Sequence, residues 1–207
     1  MRKDRSGKGI IRSAVDVKSW LAETPDVSAV RPSHCPFCDA PSRPPGGALG
    51  LWGHGLRGRQ QRGPLGADDT PVTVTVEARR YLCVHCDGVC LVVPRSVAPR
   101  RHYARAAIAL ALTLYGLCGE PVREVRRRTS PWRVVGDTAQ GGWVTLRRWI
   151  AAARRGGLLA GVPGWSDAAT PRQIAERVAQ RLVALAPPSA RGLDLAAQAF
   201  LGGASMA

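Results

Sequence analysis

Four of the six cysteines stand in two Cys-x-x-Cys pairs, CPFC (Cys35 and Cys38) and CVHC (Cys83 and Cys86), with 44 residues between them. No other feature limits the fold as much. A Cys-x-x-Cys turn sets two thiolates on one side of a tight loop, about 2.3 Å from a shared ion. Two such turns complete the tetrahedral four-sulfur shell of a structural zinc. The pairs also sit where a zinc ribbon needs them. The first lies in a proline-bounded turn before the first expected strand. The second follows the alternating stretch VTVTVEARRYL and precedes the short apolar run VCLVV. The expectation is one structural Zn²⁺ per chain on Cys35, Cys38, Cys83 and Cys86, standing in for a core that a glycine-rich segment builds poorly.

The rival readings are weaker. A thioredoxin-like redox pair needs one Cys-x-x-Cys at a strand-to-helix junction, and neither pair is followed by such a helix. Two disulfides lack an export signal to go with them. His34 and His85 flank or sit within the pairs, so a shell of three cysteines and one histidine is the lesser alternative; His85 reads as a loop residue. Cys90, in an apolar strand, and Cys118, at a helix end, read as small core residues.

Residues 1–33 read as a basic N-terminal arm with at most a short helix over Val15–Ala22, and residues 34–99 as the ribbon. Within the ribbon, Leu49–Arg59 and Val89–Pro94 are further strand candidates, and RGPLGADDTP is a turn. After Pro99 the pattern turns helical. Tyr103–Leu117 is apolar nearly all round, as suits a helix with neighbours on several sides. Pro121–Arg128 is a short helix opened by its proline. In Gly142–Ala153, Trp143, Val144, Leu146, Trp149, Ile150 and Ala153 form the buried stripe, with arginines opposite. The tail, 157–207, carries a helix capped by Thr170 with Pro171 at its first position, and a last helix over Gly192–Leu201. The fold class expected is therefore α+β: a zinc-ribbon β module, a helical domain resembling a helix-turn-helix over 100–156, and a helical tail.

Charge points to the partner. The chain carries +15, and Arg100–Gly156 alone holds twelve arginines against three acids. A GC-rich genome explains arginine in place of lysine, but not the excess over acids or its clustering. Such a field favours a polyanion, and the preferred partner is double-stranded DNA. Helix, short helix, connector and helix is helix-turn-helix arithmetic, with Gly142–Ala153 as recognition helix. Its start would turn backbone N–H groups and Thr145 toward phosphate or base edges, and Arg147 and Arg148 would reach guanine. Arg126, Arg127, Arg128 and Arg133 would bind phosphates. The connector Thr129–Gln140 is longer than such a turn usually is. Trp143 and Trp149 suit core packing; Trp132 and Trp52 lie in less regular segments and are candidates for exposure.

CPFC, WGHG with an arginine after it, RRYLCVHC, CLVVP and the helix ending TLRRWI together resemble the zinc-ribbon plus helix-turn-helix proteins associated with bacterial transposons. They look like the N-terminal DNA-binding part of insertion-sequence transposases, over residues 34–155. The resemblance implies zinc on the two cysteine pairs and DNA contact through the helix carrying Thr145, Arg147 and Arg148. His54, in WGHG, matches a recurring position in such proteins.

A transposase catalytic domain needs separated carboxylates on a sizeable sheet, and the acids here are few and scattered. No catalysis is expected. Neither is a membrane span, because no run of about 18 apolar residues occurs. The chain reads as a cytoplasmic, nucleoid-associated DNA-binding protein derived from a transposase. A protein partner or homodimer through the C-terminal helices is possible. The alternative is a protein-assembly or RNA-binding adaptor.

Overall fold

The computed structural model describes residues 9–98, 101–132, 142–158 and 166–206. The chain is α+β. Four strands, β1 (Ile10–Arg12), β2 (Leu51–Gly63), β3 (Val72–Cys83) and β4 (Val89–Val93), accompany six α-helices among the described residues: α1 (Val17–Ala22), α2 (Arg105–Gly116), α3 (Val122–Thr129), α4 (Val144–Arg154), α5 (Pro171–Ala184) and α6 (Leu195–Ser205). Two compact units result. One joins Met1–Gln61 to Thr75–Arg100; the other joins Arg62–Val74 to Arg101–Ala207. Arg133 and positions 134–140 of the expected connector lie outside the described residues.

The first unit holds the sheet, in the order β1-β4-β3-β2. β3 runs antiparallel to β4, with Tyr81 opposite Cys90, and β1 runs parallel to β4, with Ile10 opposite Leu91. Val76 and Ala78 are buried, then Tyr81 and Cys83. Successive strand residues point to opposite faces, so this change of parity means that β3 is covered on one face early and on the other late. Ala78 packs with Val93 and Val97, and Ile10 and Leu91 close that cluster.

Residues 10–30 are not the loose arm that their composition suggests. β1 joins the sheet, and Asp16 caps α1 by accepting from the Lys18 and Ser19 amides. Trp20 is buried, and its Nε1 donates to the Glu77 carbonyl at 3.0 Å. Tyr81 Oη donates to the Val27 carbonyl at 2.7 Å, and Arg79 Nε to that of Pro25 at 2.7 Å. A core therefore exists here besides any metal. Trp20, Tyr81, Leu51, Val76 and Val92 are shut off from water, which corrects the expectation that a metal alone must replace it.

The second unit is built around α2. Ala106 through Leu114 is buried without a break, because α3, α4, α5 and α6 all pack on this helix. Thr113, buried within it, satisfies its hydroxyl by donating to the Ala109 carbonyl one turn back, at 2.9 Å. The tail is part of this core. α5 opens as its sequence predicts, with a capping box between Thr170 and Gln173 and proline at its start. A single 3₁₀ turn, Pro188–Ala190, leads to α6, whose cap Asp194 accepts from the Ala197 amide at 2.7 Å. Gly202 lets α6 come close to α5: a Cβ there would stand 1.9 Å from the Leu182 carbonyl oxygen.

In α4, Trp143 at the cap and Leu146, Trp149, Ile150 and Ala153 are buried, as the stripe predicts. Val144 is the exception and is exposed. It lies two residues from Leu146, about 200° around the helix, and so belongs to the outer face. Tyr103, Trp143 and Trp149 form an edge-to-face cluster, with ring centroids 5.0 to 6.0 Å apart. Cys118 is also exposed, against expectation. Burial on α2 stops at Leu114, and the chain turns outward there, with the Leu117 and Cys118 amides both donating to the Thr113 carbonyl.

Candidate metal centre and basic groove

The two cysteine turns are the same structure built twice. The Asp39 amide donates to the Cys35 carbonyl at 2.9 Å, and the Cys35 amide to that of Ala40 at 2.9 Å. In the second turn Asp87 donates to Cys83 at 2.9 Å, and Cys83 to Gly88 at 3.0 Å. Both turns close through an aspartate in the left-handed region, Asp39 at φ 62° and Asp87 at φ 53°. Aspartate tolerates that conformation better than most residues with a side chain. The signal is in the sequence, where both pairs continue as Cys-x-x-Cys-Asp. The Phe37 ring of the first turn lies against Gly88 of the second, so the two turns face each other.

This places the four sulfur atoms of Cys35, Cys38, Cys83 and Cys86 within 4.8 Å of one another. Cys35 Sγ is 3.7 Å from Cys86 Sγ, and Cys38 Sγ is 3.7 Å from Cys83 Sγ. A disulfide needs about 2.05 Å. A tetrahedron with zinc–sulfur bonds of about 2.3 Å has edges of about 3.8 Å. The spacing therefore fits one zinc ion and excludes disulfides across these pairs. Both of these approaches run between the turns, and the four sulfurs form one cluster, so neither pair makes the shell alone. Cys35 and Cys83 are buried, Cys86 is half-buried and Cys38 exposed.

Local chemistry shows what a cation would supply. Burial raises the Cys35 thiol and pushes that of Cys86 up to about 12, while the Ala40 amide bonding to Cys38 lowers its pKa. Burial thus disfavours the thiolates of Cys35 and Cys86; a bound divalent cation would reverse that balance and hold them deprotonated. Four sulfur donors suit a soft or borderline metal such as zinc, and leave no open position for a water.

His34 and His85 are exposed and outside this cluster. Cys90 is buried in β4, its thiol pushed up to about 11 by burial, and is a core residue as expected. His54 is exposed on β2.

The helical unit carries a second concavity, an open groove of about 790 Å³. Arg123, Arg126, Arg127 and Arg128 of α3 line one part, and Ala67–Pro71 with Asp68 and Asp69 another. Trp132, Gly142 and Trp143 line it as well. Arg127 is engaged with Glu124 one turn back, Nε to Oε1 at 3.0 Å, which holds the Glu124 carboxyl below its usual range. Arg128 stands 3.7 Å from Asp68. Arg126 is half-buried, and its Nε is shut off from water with no hydrogen-bond partner among the described residues. On α4, Arg147 and Arg148 are exposed and Thr145 is half-buried; none of the three lines the groove. The sequence singles out Arg126, Arg127 and Arg128 but neither Arg123 nor Arg62, whose guanidinium lies over the Trp132 ring at 5.4 Å.

Neither a family model, nor a curated protein, nor a solved structure matches the chain. No helix among the described residues is long and apolar enough to cross a membrane.

Proposed function

We propose that this chain is a zinc-stabilised DNA-binding protein, a transposase-derived regulator or targeting module with no catalytic chemistry of its own. The observation that carries the proposal is the division of labour on α3 and α4. Val125 and Thr129 of α3, and the α4 stripe, are spent on the core. The arginines of α3 line the groove, and Arg147 and Arg148 of α4 are exposed. Among the described residues Glu124 and Asp68 are the carboxylates set against α3, and Asp167 the one set against Arg154 of α4. In this reading the sheet unit is a zinc ribbon clamped at Cys35, Cys38, Cys83 and Cys86. α4 is the recognition helix, with Thr145, Arg147 and Arg148 toward the bases, and the α3 arginines hold phosphates. The ion's part is structural, fixing the two turns against each other.

The test is a salt-titrated mobility shift of the native chain on a random-sequence duplex. Binding that weakens steeply with salt is the expected result. No retention of duplex even at low salt, with zinc bound and the helices intact, overturns the proposal.

A further inference from the structure

The groove on the helical unit is more than a patch of charge, because an indole stands in it. Trp132 is 56% exposed, although a tryptophan is a large apolar residue that a fold normally covers. Its backbone is nevertheless anchored. The Trp132 amide donates to Ser130 Oγ at 3.3 Å, and Ser130 Oγ pairs with Tyr103 Oη at 2.9 Å. The Arg62 guanidinium lies over the ring. Arg62 is itself held through both of its backbone polar groups: its amide donates to the His102 carbonyl at 2.7 Å, and its carbonyl accepts from the Ala104 amide at 3.1 Å. Next to it Gly63, at φ 114°, keeps the strand end close to α2, where a Cβ would stand 2.4 Å from that of Ala107. The result is a flat aromatic surface, supported by a cation and left open to the groove.

Around this surface the charges are arranged for a polyanion. Arg123 and Arg126 have no carboxylate partner among the described residues. The unsatisfied Arg126 Nε marks a guanidinium that the fold brings partly out of water without completing its bonds. Paired bases in a duplex present edges, not faces, so an indole in a phosphate-binding groove has no stacking partner on intact B-form DNA. An unpaired nucleotide offers a free π-face and a phosphate together. An acidic peptide would satisfy the arginines and leave the indole unused.

We propose that this groove binds an unpaired nucleotide of a DNA strand, its base stacked on Trp132 and its backbone phosphates held by Arg123 and Arg126. The proposal rests on the nucleic-acid reading above and deepens it. The protein would engage DNA at a single-stranded end, bulge or melted site, with α4 on the adjoining duplex. Asp68, held loosely by Arg128, lies at the groove's edge and is the group that an incoming phosphate displaces.

The experiment compares native chain, Trp132→Ala and Trp132→Phe by fluorescence anisotropy. The probes are a labelled single strand of about 20 nucleotides and the blunt duplex of the same sequence. Stacking on an aromatic side chain predicts that Trp132→Ala weakens single-strand binding by about 5- to 150-fold and leaves duplex binding within about twofold, while Trp132→Phe keeps most of the affinity. Matched zinc content and melting temperature show that the exposed substitution leaves the fold intact. Equal losses on both probes, or none on the single strand, overturn the stacking assignment. Duplex binding by a native chain that ignores the single strand overturns this inference and leaves the DNA-binding reading standing; binding to neither probe removes both.

Discussion

Replacing Arg147 and Arg148 together by alanine removes two exposed cations from α4 and leaves its buried stripe untouched. Alanine is the better helix former, so the helix should persist. Of the six arginines on α3 and α4 considered above, Arg127 and Arg128 are set against Glu124 and Asp68. Assigning one phosphate each to Arg123, Arg126, Arg147 and Arg148 gives a working count of about four neutralised phosphates, hence a slope of log K on log salt near −3.6. Between 50 and 200 mM salt the native chain should then lose roughly 150-fold in affinity for a random duplex. With two contacts gone the slope falls to about −1.8, and the same change of salt costs only about 12-fold. Anisotropy titrations at four salt concentrations measure both slopes. An unchanged slope and unchanged affinity in the double variant would show that α4 does not face the DNA. A halved slope with the helical circular dichroism preserved is what the recognition-helix assignment requires.

Two other substitutions probe the scaffold that presents these groups. Gly202→Val should lower the melting temperature by about 3–10 °C. Overpacking costs about 1–3 kcal/mol, and the new Cβ would meet the Leu182 carbonyl, backbone that cannot turn aside; an unshifted thermal melt would mean that α6 does not lie this close to α5. Tyr103→Phe deletes the hydroxyl paired with the buried Ser130 and should cost about 1 kcal/mol in urea unfolding; an unchanged urea midpoint would show that this hydroxyl pair adds nothing to the fold.

The parts of this fold that were legible in the sequence are those written in local patterns. Spacing alone paired the cysteines, because two tight turns sharing one ion leave few arrangements of four sulfurs. Alternation revealed β3, and Thr170, Pro171 and Gln173 spelled out the start of α5. What stayed hidden depends on partners far along the chain. β1 is three residues long, too short for any periodicity, and becomes a strand only beside β4. The packing of α6 turns on Gly202 against α5 and Gly203 against α2, small residues whose role is set by the helices they touch. Arg62 and Trp132 are seventy positions apart, and nothing local to either announces the stack. Val144 was misplaced by including it in a stripe from which the helical angle excludes it. Asp39 and Asp87 were readable as a repeated Cys-x-x-Cys-Asp, but their meaning is a backbone angle, which composition does not display.

Metal content of the native protein, prepared under reducing conditions and desalted without chelator, tests the central claim most directly. One zinc per chain, with an absorption-edge spectrum showing four sulfur neighbours near 2.3 Å, is the predicted result. Its loss in Cys38→Ser/Cys86→Ser, which removes one ligand from each turn, would tie the ion to Cys35, Cys38, Cys83 and Cys86. Zinc well below one per chain in the reduced native protein, or a shell containing nitrogen or oxygen, would contradict the four-sulfur clamp on which the ribbon rests.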